Sequence, residues 1–201
     1  MTGDADKLKV LGILGSPRRG GNSETLLDRA LAGATDAGAG TEKLHPASLR
    51  IAGCTECDDC YSLGECSTAD DMDIVYAALE RADRIIIASP IFFMSFPSQL
   101  KAMIDRTQRY WALKYVLREP FPRPAGAPER IGAYIGVGAT RGESLFDGAI
   151  LTLKYFFDAI AVEPREDLYV LIRGIDEKGE ITGRESELAA AYETGKALAV
   201  L

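Results

Sequence analysis

Short apolar runs alternate along this chain with longer segments whose apolar residues recur at helical spacing. Runs of the first kind are typical of buried strands, and segments of the second kind are typical of helices that cover a sheet. The run at residues 83–89 is rich in isoleucine and almost wholly apolar, which indicates a central strand. The predicted strands are residues 8–14, 41–46, 83–89, 131–137 and 167–173, and the predicted helices are residues 24–37, 70–82, 98–111, 143–162 and 184–201.

This alternation predicts a single α/β domain over residues 1–201. Strands joined through helices form a parallel sheet with helices on both faces. The proline-rich stretch 118–128 must be a loop, and because the alternation resumes unchanged after it, we interpret it as an excursion within the domain. Ligands of such sheets bind at the carboxyl ends of the strands. The loops after the first, third and fourth strands are therefore expected to share one site.

Charge limits the partners and the compartment. The chain has 201 residues and a formal net charge of −7, which argues against nucleic acid and membrane surfaces as partners because both require a basic face. The polar, acidic opening residues 1–10 indicate that no signal peptide is present. No apolar run reaches the ~20 residues of a membrane helix. We therefore expect a cytoplasmic, reducing setting.

Residues 15–23 follow the first strand and have the chemistry of a phosphate site. Glycines let the backbone approach closely, serines donate hydrogen bonds, Arg18 supplies positive charge, and a helix N-terminus follows. A dinucleotide-binding fingerprint would need G-x-G-x-x-G and an acidic residue near the end of the second strand, and this chain has neither. A Walker A loop would need Lys-Ser/Thr at the positions that Gly21 and Asn22 occupy, which argues against hydrolysis of a nucleoside triphosphate. A flexible turn with Asn22 or Ser23 as the helix cap stays open as an alternative.

The cysteine segment, residues 51–69, is the second chemical feature. All 4 cysteines of the chain lie in it, at Cys54, Cys57, Cys60 and Cys66, and in a reducing compartment such clustering favours a metal over disulfides. Three thiolates at every third residue can take three corners of a 4Fe–4S cubane, and the fourth can take the last. Zinc is the second possibility, although its structural sites usually pair two hooks across a longer span. Free thiols are the third.

Three motifs resemble one known family. The segments GSPRRGGNS, SPIFF and KAMIDR, which begin at residues 15, 89 and 101, resemble the flavodoxin-like NAD(P)H-dependent FMN reductases. The resemblance implies a flavodoxin-like, doubly wound, five-stranded parallel sheet that binds FMN. By position it implies one group of phosphate contacts and two groups of isoalloxazine contacts. These are Ser16, Arg18, Asn22 and Ser23 for the phosphate, then Pro90, Ile91, Phe92 and Phe93, and Gly138, Ala139, Thr140, Arg141 and Gly142 for the ring.

Simpler roles stay open for several residues. Phe92 and Phe93 could be ordinary core aromatics, and Arg141 could be a solvated loop arginine. We interpret the charged residues of KAMIDR, Arg106 included, as a helix surface with its salt bridges. His45 has no second histidine to work with and is expected to be structural.

The cysteine spacing, followed by Asp70-Asp71-Met72 at a helix start, resembles the iron–sulfur flavoproteins, a branch of that family. This resemblance implies one 4Fe–4S cluster per chain that receives electrons from ferredoxin and passes them to FMN. A small-molecule acceptor such as a quinone, oxygen or peroxide would then be reduced. The alternatives are a cluster-free NAD(P)H-dependent FMN or quinone reductase and a zinc-stabilised binding module without catalysis.

The resemblance also implies a homodimer or homotetramer. Tyr110, Trp111, Tyr115 and Phe121 lie beside the proline-rich loop, and so many aromatic residues there suggest an interface between copies of the chain.

Overall fold

The structure, a computed structural model, describes residues 7–201. Its 6-stranded sheet has the order β2-β1-β3-β4-β5, with β6 also paired to β4, and every pairing is parallel. The strands are β1 Lys9–Leu14, β2 Gly40–Leu44, β3 Arg84–Pro90, β4 Ile131–Gly138, β5 Glu163–Pro164 and β6 Val170–Arg173. The helices are α1 Asn22–Asp36, α2 Asp59–Leu63, α3 Met72–Arg81, α4 Ser98–Arg106, α5 Gln108–Ala112, α6 Asp147–Ala159 and α7 Glu185–Val200.

Helices cover both faces of the sheet, as the sequence predicts. Alternate residues of the central strands belong to two apolar clusters, because neighbouring side chains of a strand point to opposite faces. Ile85 and Ile87 of β3 pack with α3, α4 and α6, whereas Ile86 packs with α1 and α7. All three side chains are fully buried. The doubly wound parallel α/β architecture is therefore confirmed.

The predicted fifth strand is divided into two short pieces beside β4. β5 pairs with the start of β4, and β6 pairs with its end. Pro164 has no N–H for a ladder, and a short 3₁₀ turn at Glu166–Leu168 interrupts the extended chain between the two pieces. The prediction of one continuous strand over 167–173 was wrong in extent. A strand does follow β4 in the sheet, but it consists of two separate pieces, β5 and β6.

The predicted helix 98–111 is broken at Thr107. The buried Thr107 hydroxyl donates to the Ile104 carbonyl oxygen at 2.6 Å, which closes α4 and leaves α5 to begin at Gln108. A π-helical turn, Leu113–Leu117, follows. Trp111 was predicted to lie on the buried face of one continuous helix. Because the helix breaks before it, its side chain is instead exposed.

The proline-rich loop packs against the chain itself. Tyr110 is buried, donates a hydrogen bond from its hydroxyl to Glu80 at 2.9 Å, and packs against Phe121, with the ring centroids 4.6 Å apart and the rings tilted by 43°. Tyr110 is therefore buried, and Phe121 half-buried, within the chain itself, so neither ring needs a partner chain to cover it, contrary to the reason given for the predicted interface. Only Trp111 and Tyr115 of that group stay exposed.

No helix within residues 7–201 is long and apolar enough to cross a membrane. The prediction that no signal peptide is present rests on residues 1–10. Of these, residues 1–6 lie outside the part of the chain that the structure describes.

Candidate functional site

A cleft of about 350 Å³ lies at the carboxyl edge of the sheet. It is formed by the loops after β1, β3 and β4, the three that the sequence predicts, together with the loop after β6. Its lining consists of Ser16, Pro17, Arg18, Gly21, Asn22, Ser23, Pro90, Ile91, Phe92, Val137, Gly138, Ala139, Ile175 and Asp176. This volume lies within the range of about 300–1,000 Å³ that is usual for ligand pockets.

The glycine-rich loop begins where β1 passes close to β3. A Cβ on Gly15 would lie 2.5 Å from Leu100 Cδ2 and 2.8 Å from Ser89 Cβ, so only glycine fits this position without displacement. Ser16 then makes a tight turn, with the Arg18 amide donating to its hydroxyl oxygen at 3.2 Å. This turn places the hydroxyl of Ser16 and the exposed side chain of Arg18 beside the cleft.

The first turn of α1 points its amides toward the same cleft. The helix begins at Asn22 with Gly21 as its cap residue, and no side chain caps it, so the prediction of Asn22 or Ser23 as a cap was wrong. Amides of a first turn have no acceptor within the helix and carry partial positive charge. The buried Ser23 lies in this turn and lines the cleft.

Glu24 also lies in this turn, and neighbouring donors hold its negative charge. The Gly20 amide donates to Glu24 Oε2 at 2.6 Å, and Lys43 Nζ lies 2.9 Å from Oε1. The Gly20 hydrogen bond and the Lys43 ammonium lower the pKa of the Glu24 carboxyl below its usual range. The carboxylate therefore braces the loop while its charge is balanced by Lys43.

The side chain of Asn22 faces a different partner from the one predicted. Its Nδ2 donates to the Glu177 carbonyl oxygen at 2.9 Å, and its Oδ1 accepts from the amides of Gly179 and Ile181 at 3.0 and 3.3 Å. Asn22 is buried, and these bonds fix the loop after β6 onto the start of α1. What it offers the cleft is its backbone, since the side-chain amide is engaged.

Three residues of the loop after β6 were missed by the sequence analysis. Ile175 and Asp176 line the cleft, and Lys178 Nζ lies 3.5 Å from the position of a Cβ at Gly20, which is itself in the left-handed region at φ 65°. No local signal could have found them, because they lie over 150 positions from the glycine-rich loop, to which the hydrogen bonds of Asn22 join them.

The loop after β3 ends in a strained, exposed turn. Phe92 and Ser95 exchange two backbone hydrogen bonds at 2.9 and 3.0 Å, and the two residues between them, Phe93 and Met94, have φ of 48° and 62°. Such turns normally use Asn-Gly. Phe92 lines the cleft, whereas Phe93 is wholly exposed and does not. The alternative of ordinary core packing is therefore wrong for both.

The loop after β4 divides between the cleft and its outside. Gly138 and Ala139 line the cleft, but Thr140, Arg141 and Gly142 do not. Arg141 lies against Gly174, where a Cβ would be 2.7 Å from its Cζ. Arg173, at the end of β6, donates to the carbonyl oxygens of Gly142 and Glu143 at 3.2 and 3.0 Å. These bonds attach this part of the loop to β6 and not to the cleft.

His45 supports the site from beneath. Its Nε2 lies 2.8 Å from the Ser16 carbonyl oxygen, and the ring is buried. This contact steadies the glycine-rich loop, which agrees with the structural role expected from the sequence.

The cysteine segment lines a second, separate cavity of about 590 Å³ against α4, α5 and α6. Cys54 and Cys57 are exposed, and Cys60 and Cys66 are half-buried. Glu56 lies between Cys54 and Cys57, and Asp58 lies between Cys57 and Cys60; both have left-handed backbone conformations, with φ of 54° and 63°. All four cysteines face this one cavity.

Arg106 anchors this segment and is not the surface residue that we predicted. Its side chain is only 1% exposed and forms an ion pair with Asp70, Nη1 lying 2.8 Å from Oδ2. Thirty-six positions separate these two residues, so the helical motif that contains Arg106 gave no indication of the contact. The Arg106 guanidinium is buried because it packs beneath the cysteine segment and pairs with Asp70 there.

The four thiols are a reasonable donor set for an iron–sulfur cluster and a poor one for a single ion. Within residues 7–201, no three His, Cys, Asp or Glu side chains converge as one metal ion requires. A cubane is less demanding in this respect, because each cysteine binds a different iron and the sulfurs stand farther apart. The buried Nε–H of Arg106 has no hydrogen-bond partner, which leaves a donor available to a sulfur in this cavity.

The surroundings of Cys60 and Cys66 shift the pKa values of their thiols in opposite directions. Burial raises the pKa of the Cys60 thiol, and the other three cysteines add to the effect. Burial also disfavours the Cys66 thiolate, but the Thr68 amide and the Arg106 guanidinium outweigh it and lower the pKa of that thiol. Of these two thiols, Cys66 is therefore the one whose surroundings favour ionisation.

Comparison with solved structures defines the class of fold. A NAD(P)H:quinone oxidoreductase from Methanothermobacter marburgensis superposes with a TM-score of 0.70 at 17% identity, covering 96% of this chain and 99% of that one. A flavodoxin from the domain Archaea superposes with a TM-score of 0.57 at 13% identity, covering 96% and 97%. At these identities the likeness shows the flavodoxin-like fold.

Comparison with sequences places the chain within that class. The profile of the NADPH-dependent FMN reductase family matches residues 8–146. An iron-sulfur flavoprotein of Archaeoglobus fulgidus is 42% identical over 103 residues, which cover 51% of this chain and 47% of that protein. One from Methanosarcina thermophila is 33% identical over 134 residues, covering 67% and 65%.

The chain belongs to the NADPH-dependent FMN reductase family, in its iron–sulfur flavoprotein branch. The matched regions span about half to two thirds of the length of these curated relatives.

Proposed function

We propose that this chain is an FMN-dependent oxidoreductase that also holds a 4Fe–4S cluster. The observation that carries the proposal is the cleft at the carboxyl edge, where the glycine-rich loop and both ring-lining loops meet in a member of the FMN reductase family.

The phosphate of FMN would occupy the end of the cleft formed by the glycine-rich loop. Ser16 and Ser23 offer hydroxyls, Arg18 offers charge, and the first turn of α1, which starts at Asn22, offers amides. Charge-assisted hydrogen bonds of this kind are strong and fix a phosphate in position. Lys178 adds a second cation beside Gly20.

The isoalloxazine would lie between the loops after β3 and β4. Pro90, Ile91 and Phe92 form one wall, and Gly138 and Ala139 form the other. We place Phe93, Thr140, Arg141 and Gly142 at the outer rim, where they would limit access to the ring rather than hold it. A flat apolar slot with a few backbone donors is what the ring requires from a protein.

The cluster would be held by Cys54, Cys57, Cys60 and Cys66, which line one cavity. When bound, the two cofactors supply one-electron chemistry at the cluster and one- or two-electron chemistry at the flavin. We propose ferredoxin as the donor and a small molecule such as a quinone, oxygen or peroxide as the acceptor. The protein would act in the cytoplasm, and its exposed Trp111 and Tyr115 are suited to an interface in a homodimer or homotetramer.

A cluster-free NAD(P)H-dependent FMN or quinone reductase is the second candidate. Two observations favour it, namely the description of the family and the exposure of Cys54 and Cys57. A zinc-stabilised module without catalysis is disfavoured, because the described thiols do not converge on one ion.

Anaerobic purification with an assay of iron, sulfide and flavin separates these candidates. We expect about one FMN and about four irons per chain, and faster flavin reduction by reduced ferredoxin than by NADPH in stopped-flow measurements. FMN without iron, reduced faster by NADPH, would favour the second candidate. Zinc without flavin would refute both redox proposals.

A further inference from the structure

The guanidinium of Arg106 joins the two ends of the cysteine segment. Its Nη1 donates to the Ala52 carbonyl oxygen at 3.1 Å, and its Nη2 donates to the Thr68 carbonyl oxygen at 3.1 Å. Both nitrogens also donate to Asp70, at 2.8 and 3.3 Å. Ala52 precedes Cys54, whereas Thr68 and Asp70 follow Cys66. The Arg106 side chain therefore bonds to both ends of the cysteine segment and fixes the distance between them.

Asp70 strengthens this junction from the other side. Besides pairing with Arg106, its carboxylate accepts from the amides of Ala52 and Met72 at 2.9 and 3.0 Å. The arginine is fixed in turn, because the buried Tyr76 hydroxyl donates to the Arg106 carbonyl oxygen at 2.8 Å. The guanidinium cannot turn away from the cysteine cavity without breaking several of these bonds.

One donor of the guanidinium is left over. Arg106 Nε is buried and makes no hydrogen bond of ordinary geometry with the described residues, although nearly all buried donors in folded proteins make one. The guanidinium nevertheless interacts with the nearby Cys66 sulfur. The same side chain lines the cysteine cavity beside Cys66. The other cations of this cavity are Lys101, which is more exposed and pairs with Asp105, and Arg109, which lies over Tyr76. Arg109 Nε is also buried without a partner, but its guanidinium makes none of the bonds that join the two ends of the cysteine segment.

We propose that Arg106 is the positioning residue of the cluster site, holding the cysteine segment closed and donating its free N–H to a sulfur of the bound cluster. This inference rests on the proposed cluster. Asp70 neutralises much of the guanidinium charge, so the short-range hydrogen bond is the main electrostatic effect. Hydrogen bonds to cluster sulfurs stabilise the reduced, more negative state. Arg106 should therefore raise the reduction potential of the cluster.

The test compares a charge-neutral double variant, Arg106→Met with Asp70→Asn, with Lys101→Met. The double variant removes the ion pair as a unit, since an unpaired buried charge alone would unfold the site. Lys101→Met removes an exposed cation from the same cavity and leaves the junction intact. Arg106→Lys, which keeps the charge but lacks the planar fork, is a second variant in case the double variant does not fold. FMN content serves as the check that each protein is folded.

The readouts are the midpoint potential of the reconstituted cluster and the alkylation rate of the cysteines in the apoprotein. We expect the double variant to shift the reduction equilibrium at least tenfold, about 59 mV lower for a one-electron couple, and its thiols to react several-fold faster. Arg106→Lys should shift both readouts in the same direction, and Lys101→Met should leave both unchanged. Wild-type potential and wild-type alkylation rate in both Arg106 variants would overturn the inference. A wild-type protein that takes up no iron would instead refute the cluster itself, and this role with it.

Discussion

At the scale of single residues, the decisive property is the direction in which each side chain points. Asn22 and Ser23 are adjacent polar residues that both line the cleft, yet the side-chain amide of Asn22 is bonded to the loop at residues 177–181. The amino-acid types of the glycine-rich loop predict a phosphate site, and the structure places this loop at the cleft. Their individual roles depend on segments distant in sequence, which local patterns do not contain.

The phosphate assignment predicts a loss of FMN affinity in the double variant Arg18→Ala with Ser23→Ala. These changes remove a cation and a hydroxyl from the cleft, so the dissociation constant should rise at least tenfold, about 1.4 kcal/mol. Fluorescence titration of the folded apoprotein with FMN measures it. Arg19→Ala is the matched control, because Arg19 is an exposed neighbour that does not line the cleft. Equal affinity in the double variant and the control would refute the assignment.

At the scale of elements, the helix that follows the glycine-rich loop, α1, packs closely against α7. The two helices approach so closely that a Cβ on Gly195 would lie 1.8 Å from the Ala30 carbonyl oxygen, and one on Gly33 would lie 2.1 Å from the Tyr192 carbonyl oxygen. Backbone atoms cannot give way as the end of a side chain can. A larger residue at either position must therefore push the helices apart.

Gly195→Ala should accordingly lower the free energy of unfolding by about 1–3 kcal/mol, the usual cost of overpacking. Urea denaturation followed by circular dichroism measures this difference. Gly183→Ala is the control, since a Cβ there meets nothing within 4 Å, and it should stay within about 0.5 kcal/mol of the wild type. A Gly195 variant as stable as this control would show that the helices are not in such close contact.

Most elements follow from the period of apolar residues, and the exceptions have identifiable causes. The strands β1, β3 and β4 agree with prediction within one residue at each end, because uninterrupted apolar runs are unambiguous there. Thr107 ends α4 through a hydroxyl bond to its own backbone, and Pro164 divides the fifth strand position. α2 was missed because its five residues are too few to show a period.

At the scale of the whole molecule, two chemical sites share one scaffold but have separate supports. α4 connects them, with Leu100 against Gly15 at its start and Arg106 beneath the cysteine segment at its end. The loops of the cleft are positioned by the apolar core of the sheet, and the cysteine segment is positioned by the Arg106–Asp70 ion pair. The sequence predicted both groups of candidate site residues, but it did not predict this ion pair, because the contact joins residues 36 positions apart.

The most direct test of the account is the iron and flavin content of Cys60→Ala after anaerobic purification. Cys60 lines the cysteine cavity and not the cleft, and a cubane that lacks one thiolate is labile. The account predicts that most of the iron is lost while about one FMN per chain remains. Loss of FMN together with the iron would contradict the separate support of the two sites, and full retention of iron would contradict the cysteine ligands.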